Sequence, residues 1–136
     1  MLASCTIMVV EDEALIALDL AMTIEEMGAS VCGPYGCPKE AAAAAEQADA
    51  AILDVDLRGG TVLAVADRLR AAGKPFAFHT GRSDLTSLRS RYGRDVPILR
   101  KPSRASEVRD ALRALIAARL MPRDRLRRAG GLRLVH

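Results

Sequence analysis

The sequence predicts an α/β domain: a doubly wound, five-stranded parallel sheet with helices on both faces. Three observations predict it. Apolar runs of four or five residues recur along the chain, each closed by a polar residue or Gly, and such runs read as buried strands of a parallel sheet. Between them the apolar period changes to that of a helix. The interior-type residues are Ala, Val, Leu and Ile, with only two Phe, two Tyr and no Trp, as expected where helices cover a sheet. A chain of 136 residues fits one domain with a sizeable core.

The first strand covers 6–10 and ends at Glu11-Asp12. From Glu13 the pattern is helical, with Ile16, Leu20, Ile24 and Met27 on one stripe, and Gly28 ends the helix. A second stripe, Leu15, Leu18 and Met22, lies on another face; it either wraps the core or forms a docking patch. A weak second strand covers 29–33, a loop 34–38, and an Ala-rich helix 39–47. The third strand, 50–54, is a run of apolar residues leading into Asp54, after which Gly59-Gly60 turns the chain.

An amphipathic helix over 61–72 uses Val62, Val65, Ala66 and Leu69, and Gly73 stops it. The fourth strand, 75–80, closes at Gly81, and a short polar helix follows over 84–91. The fifth strand, 96–100, runs into Lys101-Pro102. Ser103 is expected to cap a last helix carrying Val108, Leu112, Leu115 and Ile116. Residues 1–120 form the expected domain. Residues 121–136 form a basic tail, expected to be disordered and removable without effect on melting.

The net charge of +3 divides unevenly. Residues 119–136 hold six Arg against one acid, leaving 14 basic and 16 acidic residues in the rest. The body is near neutral, unlike a nucleic-acid-binding surface. No apolar run approaches the ~20 residues of a membrane span, and the amino terminus lacks the pattern of a signal peptide. Three cysteines, an odd count without metal-ligand spacing, read as free thiols of a reducing cytoplasm.

The strand ends carry the chemistry. In a parallel sheet Glu11-Asp12, Asp54, Thr80-Gly81 and Lys101-Pro102 converge on one edge, the edge where open sheets bind ligands. Three carboxylates packed together repel. A divalent cation relieves the repulsion, and an all-oxygen site suits Mg²⁺. A cation, a nucleophilic carboxylate, a hydroxyl and an ammonium are the parts that handle a phosphoryl group. His79 is expected to pack against a helix, since strand alternation points it away from Thr80. Asp56 and Arg82, two residues beyond Asp54 and Thr80, have the charge and length for a forked pair.

At these residues the chain resembles a receiver domain of two-component response regulators, over about 6–119. The segment Pro75-Phe76-Ala77-Phe78-His79-Thr80-Gly81 resembles a single-domain branch with a Pro-Phe-x-Phe-x-Thr-Gly strand. The resemblance implies a flavodoxin-like sheet of order 2-1-3-4-5, with Asp54 as phosphoacceptor, Thr80 as switch hydroxyl and Lys101 as partner of a phosphoryl oxygen. It implies Mg²⁺ held by Asp12, assisted by Glu11, with Asp54 and the backbone carbonyl of Asp56. It also implies a cis Lys101-Pro102 bond. The implied protein is a cytoplasmic, stand-alone phosphorelay switch rather than a turnover enzyme.

Its expected partners are a histidine kinase or histidine phosphotransfer protein and a downstream protein target. Direct nucleic-acid or membrane binding is not expected, and the protein is a monomer or a phosphorylation-dependent dimer. The chain departs from the family at three positions. Ile98 stands where an aromatic partners the switch hydroxyl, His79 replaces Ala, and Arg82 replaces Tyr. Two alternatives accompany this reading: a degenerate, phosphorylation-independent interaction module, and a small phosphatase-like hydrolase with an Asp nucleophile. The second has its Asp-x-Asp on the first strand, whereas Asp54-Val55-Asp56 is on the third.

Overall fold

Alternation along the first strand, Thr6–Val10 (β1), decides the layers of the molecule. Ile7 and Val9 belong to one core cluster, Met8 and Val10 to another. Successive strand side chains point to opposite faces, so a strand apolar on both faces needs helices on both sides. The computed structural model describes residues 4–120, with the side chain of Leu120 outside the description. The expectations for residues 121–136 lie outside the described residues.

The chain runs β1, α1 (Ala14–Glu26), β2 (Ser30–Tyr35), α2 (Pro38–Ala44) with a 3₁₀ turn (Ala45–Gln47), and β3 (Ala50–Asp54). It continues with α3 (Leu63–Ala71), β4 (Phe76–Thr80), α4 (Thr86–Tyr92), β5 (Ile98–Arg100) and α5 (Ala105–Leu120). The five strands are parallel in the order β2-β1-β3-β4-β5. This is the predicted doubly wound α/β fold. Beneath α1 and α5, Ile7, Val9, Ile52 and Ala77 meet Leu20, Ile24, Leu112 and Leu115. On the other face Met8, Val10, Leu53 and Phe78 meet Val65, Leu69, Leu88 and Tyr92. Each fully buried Leu or Ile of these cores contributes about 1.5–3 kcal/mol relative to exposure. Among the described residues no helix is long and apolar enough to cross a membrane. All three cysteines are free thiols.

Several element ends differ from expectation, each for a local reason. Strand β2 runs on to Tyr35 through residues expected to be loop. Its register against β1 shifts between Met8 and Val10, and the Gly33-Pro34 bond there is cis. Gly33 has φ +100°, and a Cβ on it would meet Tyr35 N at 2.8 Å and Val9 O at 2.9 Å. Only Gly fits. Helix α3 starts at Leu63 rather than 61, because Gly60–Thr61 pairs antiparallel with Asp56–Leu57 in a two-residue ribbon. Strand β5 starts at Ile98 rather than Val96, although the Pro97 carbonyl still accepts the Phe78 amide at 2.9 Å.

Helix α4 is shifted to 86–92, its first turn tied by the Thr86 amide to Asp84 Oδ1 at 2.9 Å. Ser103 does not cap α5. The Arg104 amide at the entry to α5 is taken instead by Glu107 Oε1 at 2.7 Å, one half of a capping box. On α1, Leu15, Leu18 and Met22 are 82, 55 and 49% exposed. The second stripe therefore does not wrap the core; it is a surface patch.

Candidate functional site

Parallel pairing brings the chemistry-bearing residues to the carboxyl edge of the three central strands. Val10 pairs with Leu53, and Asp54 with His79. Glu11 and Asp12 thus follow β1 immediately beside the end of β3. Ligand oxygens of Glu11, Asp12 and Asp54 lie within 4.8 Å of one another. Lys101, just beyond β5, sends its ammonium into this cluster: Nζ is 3.3 Å from Asp54 Oδ2 and 3.1 Å from Glu11 Oε1. The Lys101 amide donates to the Thr80 carbonyl at 2.8 Å, which anchors the segment. The Lys101-Pro102 bond is cis, as expected.

Charge and burial conflict here. Burial raises the pKa of Glu11, but its polar neighbours outweigh burial, the His79 ring first, then the Glu13 amide and Lys101, and its carboxyl is held at about 2. Asp54 goes the other way. Burial first, then the charge of Glu11, push it up to about 7, with Lys101 only partly offsetting them. The two carboxyls titrate as a pair, one ionised and the other able to hold a proton near neutrality. Burial lowers and the neighbouring carboxylates raise the pKa of Lys101, with a net rise. An all-oxygen cluster of this kind fits a hard divalent cation, whose charge opposes both the burial and the repulsion that raise the Asp54 pKa.

The remaining predicted residues border the cluster. Thr80 is buried, and its Oγ1 accepts the Arg82 amide at 3.0 Å, which leaves its own O–H to donate. Gly81 faces open space, since a Cβ there would meet nothing within 4 Å. Asp56 lies in the ribbon after β3, and its carboxylate accepts Arg82 Nε at 2.8 Å and Nη2 at 2.6 Å. Ile98 is half-buried against the α4-side core.

Sequence reasoning missed two partners of the cluster and misjudged a third. Arg58 holds Asp12, its amide donating to Oδ2 at 2.8 Å and its Nε lying 3.7 Å away. Nothing in the sequence signals a backbone amide acting at this range. Ser103 meets His79 instead of capping a helix, Oγ to Nε2 at 2.9 Å. His79 itself does more than pack on a helix: its Nδ1 lies 3.8 Å from Glu11 Oε1. Alternation was the available signal, since Glu11 falls on the face of Ile7 and Val9, and His79 on that of Ala77.

Solved structures resemble the chain closely. SdrG from Sphingomonas melonis Fr1 is 44% identical, with 85% of this chain and 99% of that one covered at a TM-score of 0.72. The same protein is also solved in a BeF3-activated conformation. The signal receiver domain of a modulated diguanylate cyclase from Desulfovibrio desulfuricans G20 is 27% identical, covering 84% and 94% at 0.74. A response regulator receiver protein from Sinorhizobium medicae WSM419, at 24% identity and a TM-score of 0.76 over 88% and 99%, shares the fold. No protein-family model matches the chain, and no curated protein sequence does. The fold, the strand-end cluster and these likenesses define the class: the chain belongs to the response regulator receiver domains.

Proposed function

We propose that this receiver, residues 1–120, accepts a phosphoryl group on Asp54 from the phosphohistidine of a histidine kinase or phosphotransfer protein. The observation that carries the reading is Lys101 Nζ, poised 3.3 Å from Asp54 within a cluster of three carboxylates. A deprotonated Asp54 oxygen attacks in line, the P–N bond to histidine breaks, and a P–O bond to Asp54 forms. Lys101 neutralises charge developing on an equatorial oxygen, and positioning with charge neutralisation is where catalysis of such transfers mainly comes from. The Thr80 O–H donates to a second oxygen. Asp12, Asp54 and the Asp56 carbonyl would hold Mg²⁺, with Glu11 behind them. Bound there, the ion supplies positive charge to the phosphoryl oxygens.

The product is an acyl phosphate that water later removes, so the protein acts as a switch rather than as a turnover enzyme. We place it in the cytoplasm with its donor, signalling to a protein target through surface contacts. One observation favours a second reading, a phosphorylation-independent interaction module: Ile98 stands where an aromatic would partner the switch hydroxyl. One experiment separates the two. Acetyl phosphate with Mg²⁺ is expected to add about 80 Da, the mass of one phosphoryl group. The adduct is expected to be labile to hydroxylamine and absent from Asp54→Asn. No adduct on the wild-type chain would leave the interaction module.

A further inference from the structure

His79 and Glu11 present an unusual pair of atoms. Both side chains are buried, and among the described residues Glu11 Oε1 and His79 Nδ1 are the buried side-chain atoms without a hydrogen-bond partner. They lie 3.8 Å apart, within the reach of a small movement of either side chain but beyond a hydrogen bond. Orphaned buried polar atoms are costly. Glu11 Oε1 has the Lys101 ammonium 3.1 Å away as an ion-pair partner, whereas His79 Nδ1 faces only that oxygen and calls for an explanation.

The other ring nitrogen supplies one. Ser103 Oγ lies 2.9 Å from His79 Nε2. A hydroxyl can donate to this nitrogen, and a neutral imidazole that accepts at Nε2 carries its proton at Nδ1. Ser103 thereby aims an N–H at Glu11. Glu11 meanwhile depends on Lys101, whose ammonium it shares with Asp54. A phosphoryl group on Asp54 brings nearly two further negative charges and draws that ammonium away. Glu11, whose side chain is 0% exposed, then loses the ammonium contact at Oε1.

We propose that His79 is a positioning residue of the phosphoryl site, a reserve donor whose Nδ1–H closes on Glu11 Oε1 when Lys101 turns to the phosphoryl group. The role rests on Asp54 as the acceptor. His79 touches no reacting atom; it lowers the cost of releasing Lys101. Because His79 and Ser103 also line a groove of about 710 Å³ between α1 and α5, beside exposed Leu15, Leu18 and Met22, the closure would reach that surface directly.

Two amide replacements dissect the ring. The Asn nitrogen overlays Nδ1 and the Gln nitrogen overlays Nε2, so His79→Asn keeps the donor to Glu11 and His79→Gln does not. With beryllofluoride and Mg²⁺ as the phosphoryl mimic, His79→Gln and His79→Ala are expected to bind about tenfold more weakly, the scale of one hydrogen bond to a charged group. His79→Asn is expected to stay within about twofold of wild type. Ser103→Ala leaves the imidazole in place and is expected to weaken binding in the same direction as His79→Gln.

In the metal-free full chain, imidazole ¹⁵N shifts are expected to show the Nδ1–H tautomer of His79, a readout independent of any phosphoryl chemistry. An Nε2–H tautomer, or equal binding by wild type and all His79 variants, would overturn the proposal. A wild-type chain that shows the Nδ1–H tautomer but binds no beryllofluoride would instead sink the assignment of Asp54 and, with it, the reserve-donor role.

Discussion

Arg82 grips Asp56 with two parallel hydrogen bonds, Nε to Oδ2 at 2.8 Å and Nη2 to Oδ1 at 2.6 Å. Each residue stands two positions beyond a central residue of the site, Thr80 and Asp54. The hydrogen bonds to Arg82 lower the pKa of Asp56, so the pair stays charged at any working pH. It is partly exposed, and exposed pairs contribute only about 0–1 kcal/mol to stability. Its expected consequence is steric: with Asp54 as the proposed phosphoacceptor, the fork would border the path by which water reaches the acyl phosphate. Arg82→Ala is expected to shorten the lifetime of phosphorylated Asp54 by about two- to fivefold, the range a term of that size spans. Reversing the pair, Asp56→Arg with Arg82→Asp, is expected to restore part of it. An unchanged dephosphorylation rate in Arg82→Ala would rule out the steric role.

The raised carboxyl of Asp54 makes the metal-free fold sensitive to pH. Its ordinary value is 3.8 and its folded value about 7. Between those limits the unfolded chain has lost a proton that the folded chain keeps, so stability falls as pH rises. Glu11, lowered from 4.5 to about 2, contributes stability that is lost as pH falls through that lower window. Asp54→Asn removes the first effect, and it alters the second only through its hydrogen bond to Glu11. Without metal at pH 8 its melting temperature is expected to exceed wild type by about 5 °C, with the difference vanishing near pH 4. Parallel melting curves at every pH would contradict the raised pKa.

Metal binding is expected to follow the same proton. Since Asp54 must ionise to hold a cation, Mg²⁺ affinity is expected to rise as pH increases through about 7. Asp12→Ala is expected to reduce Mg²⁺ affinity by more than tenfold, about the 10–100-fold scale of a disturbed metal shell. It also removes one charge of the cluster and is expected to leave the metal-free fold as stable or more so. Titration calorimetry across pH 6–8 reads both effects, and an unchanged affinity in Asp12→Ala would displace the site.

Tyr92 closes the α4-side core. Its ring centroid lies 5.7 Å from that of Phe76 and 5.1 Å from that of Phe78, and its hydroxyl donates to Asp67 Oδ1 at 2.8 Å. Arg91 pairs with the same carboxylate. Tyr92→Ala is expected to cost about 3–5 kcal/mol, the range for emptying an aromatic core site. Tyr92→Phe keeps the ring and loses only the hydroxyl bond, for about 0.5–1.5 kcal/mol. Chemical denaturation measures both, and equal losses would mean that the hydroxyl bond, not the ring packing, dominates.

The layers, the order of the elements and the converging strand ends were legible in the residues alone. Those depend on period and polarity along the chain, and buried strands such as Ala50–Asp54 state them in single runs of residues. The sequence also held the complementary lengths and charges of Asp56 and Arg82, whose meeting needs only that β3 and β4 be neighbours. What tertiary structure alone decided depends on atoms that approach from distant parts of the chain. The Arg58 amide on Asp12 involves a backbone group that every residue possesses, so no residue type announces it. Ser103 could serve equally at a helix start or at His79, and the choice followed from α5 beginning two residues later, at Ala105. The exposure of Leu15, Leu18 and Met22 was undecided for the same reason. An apolar stripe is identical in sequence whether or not another element covers it, and only the packing of α1 against the sheet selected the stripe to bury.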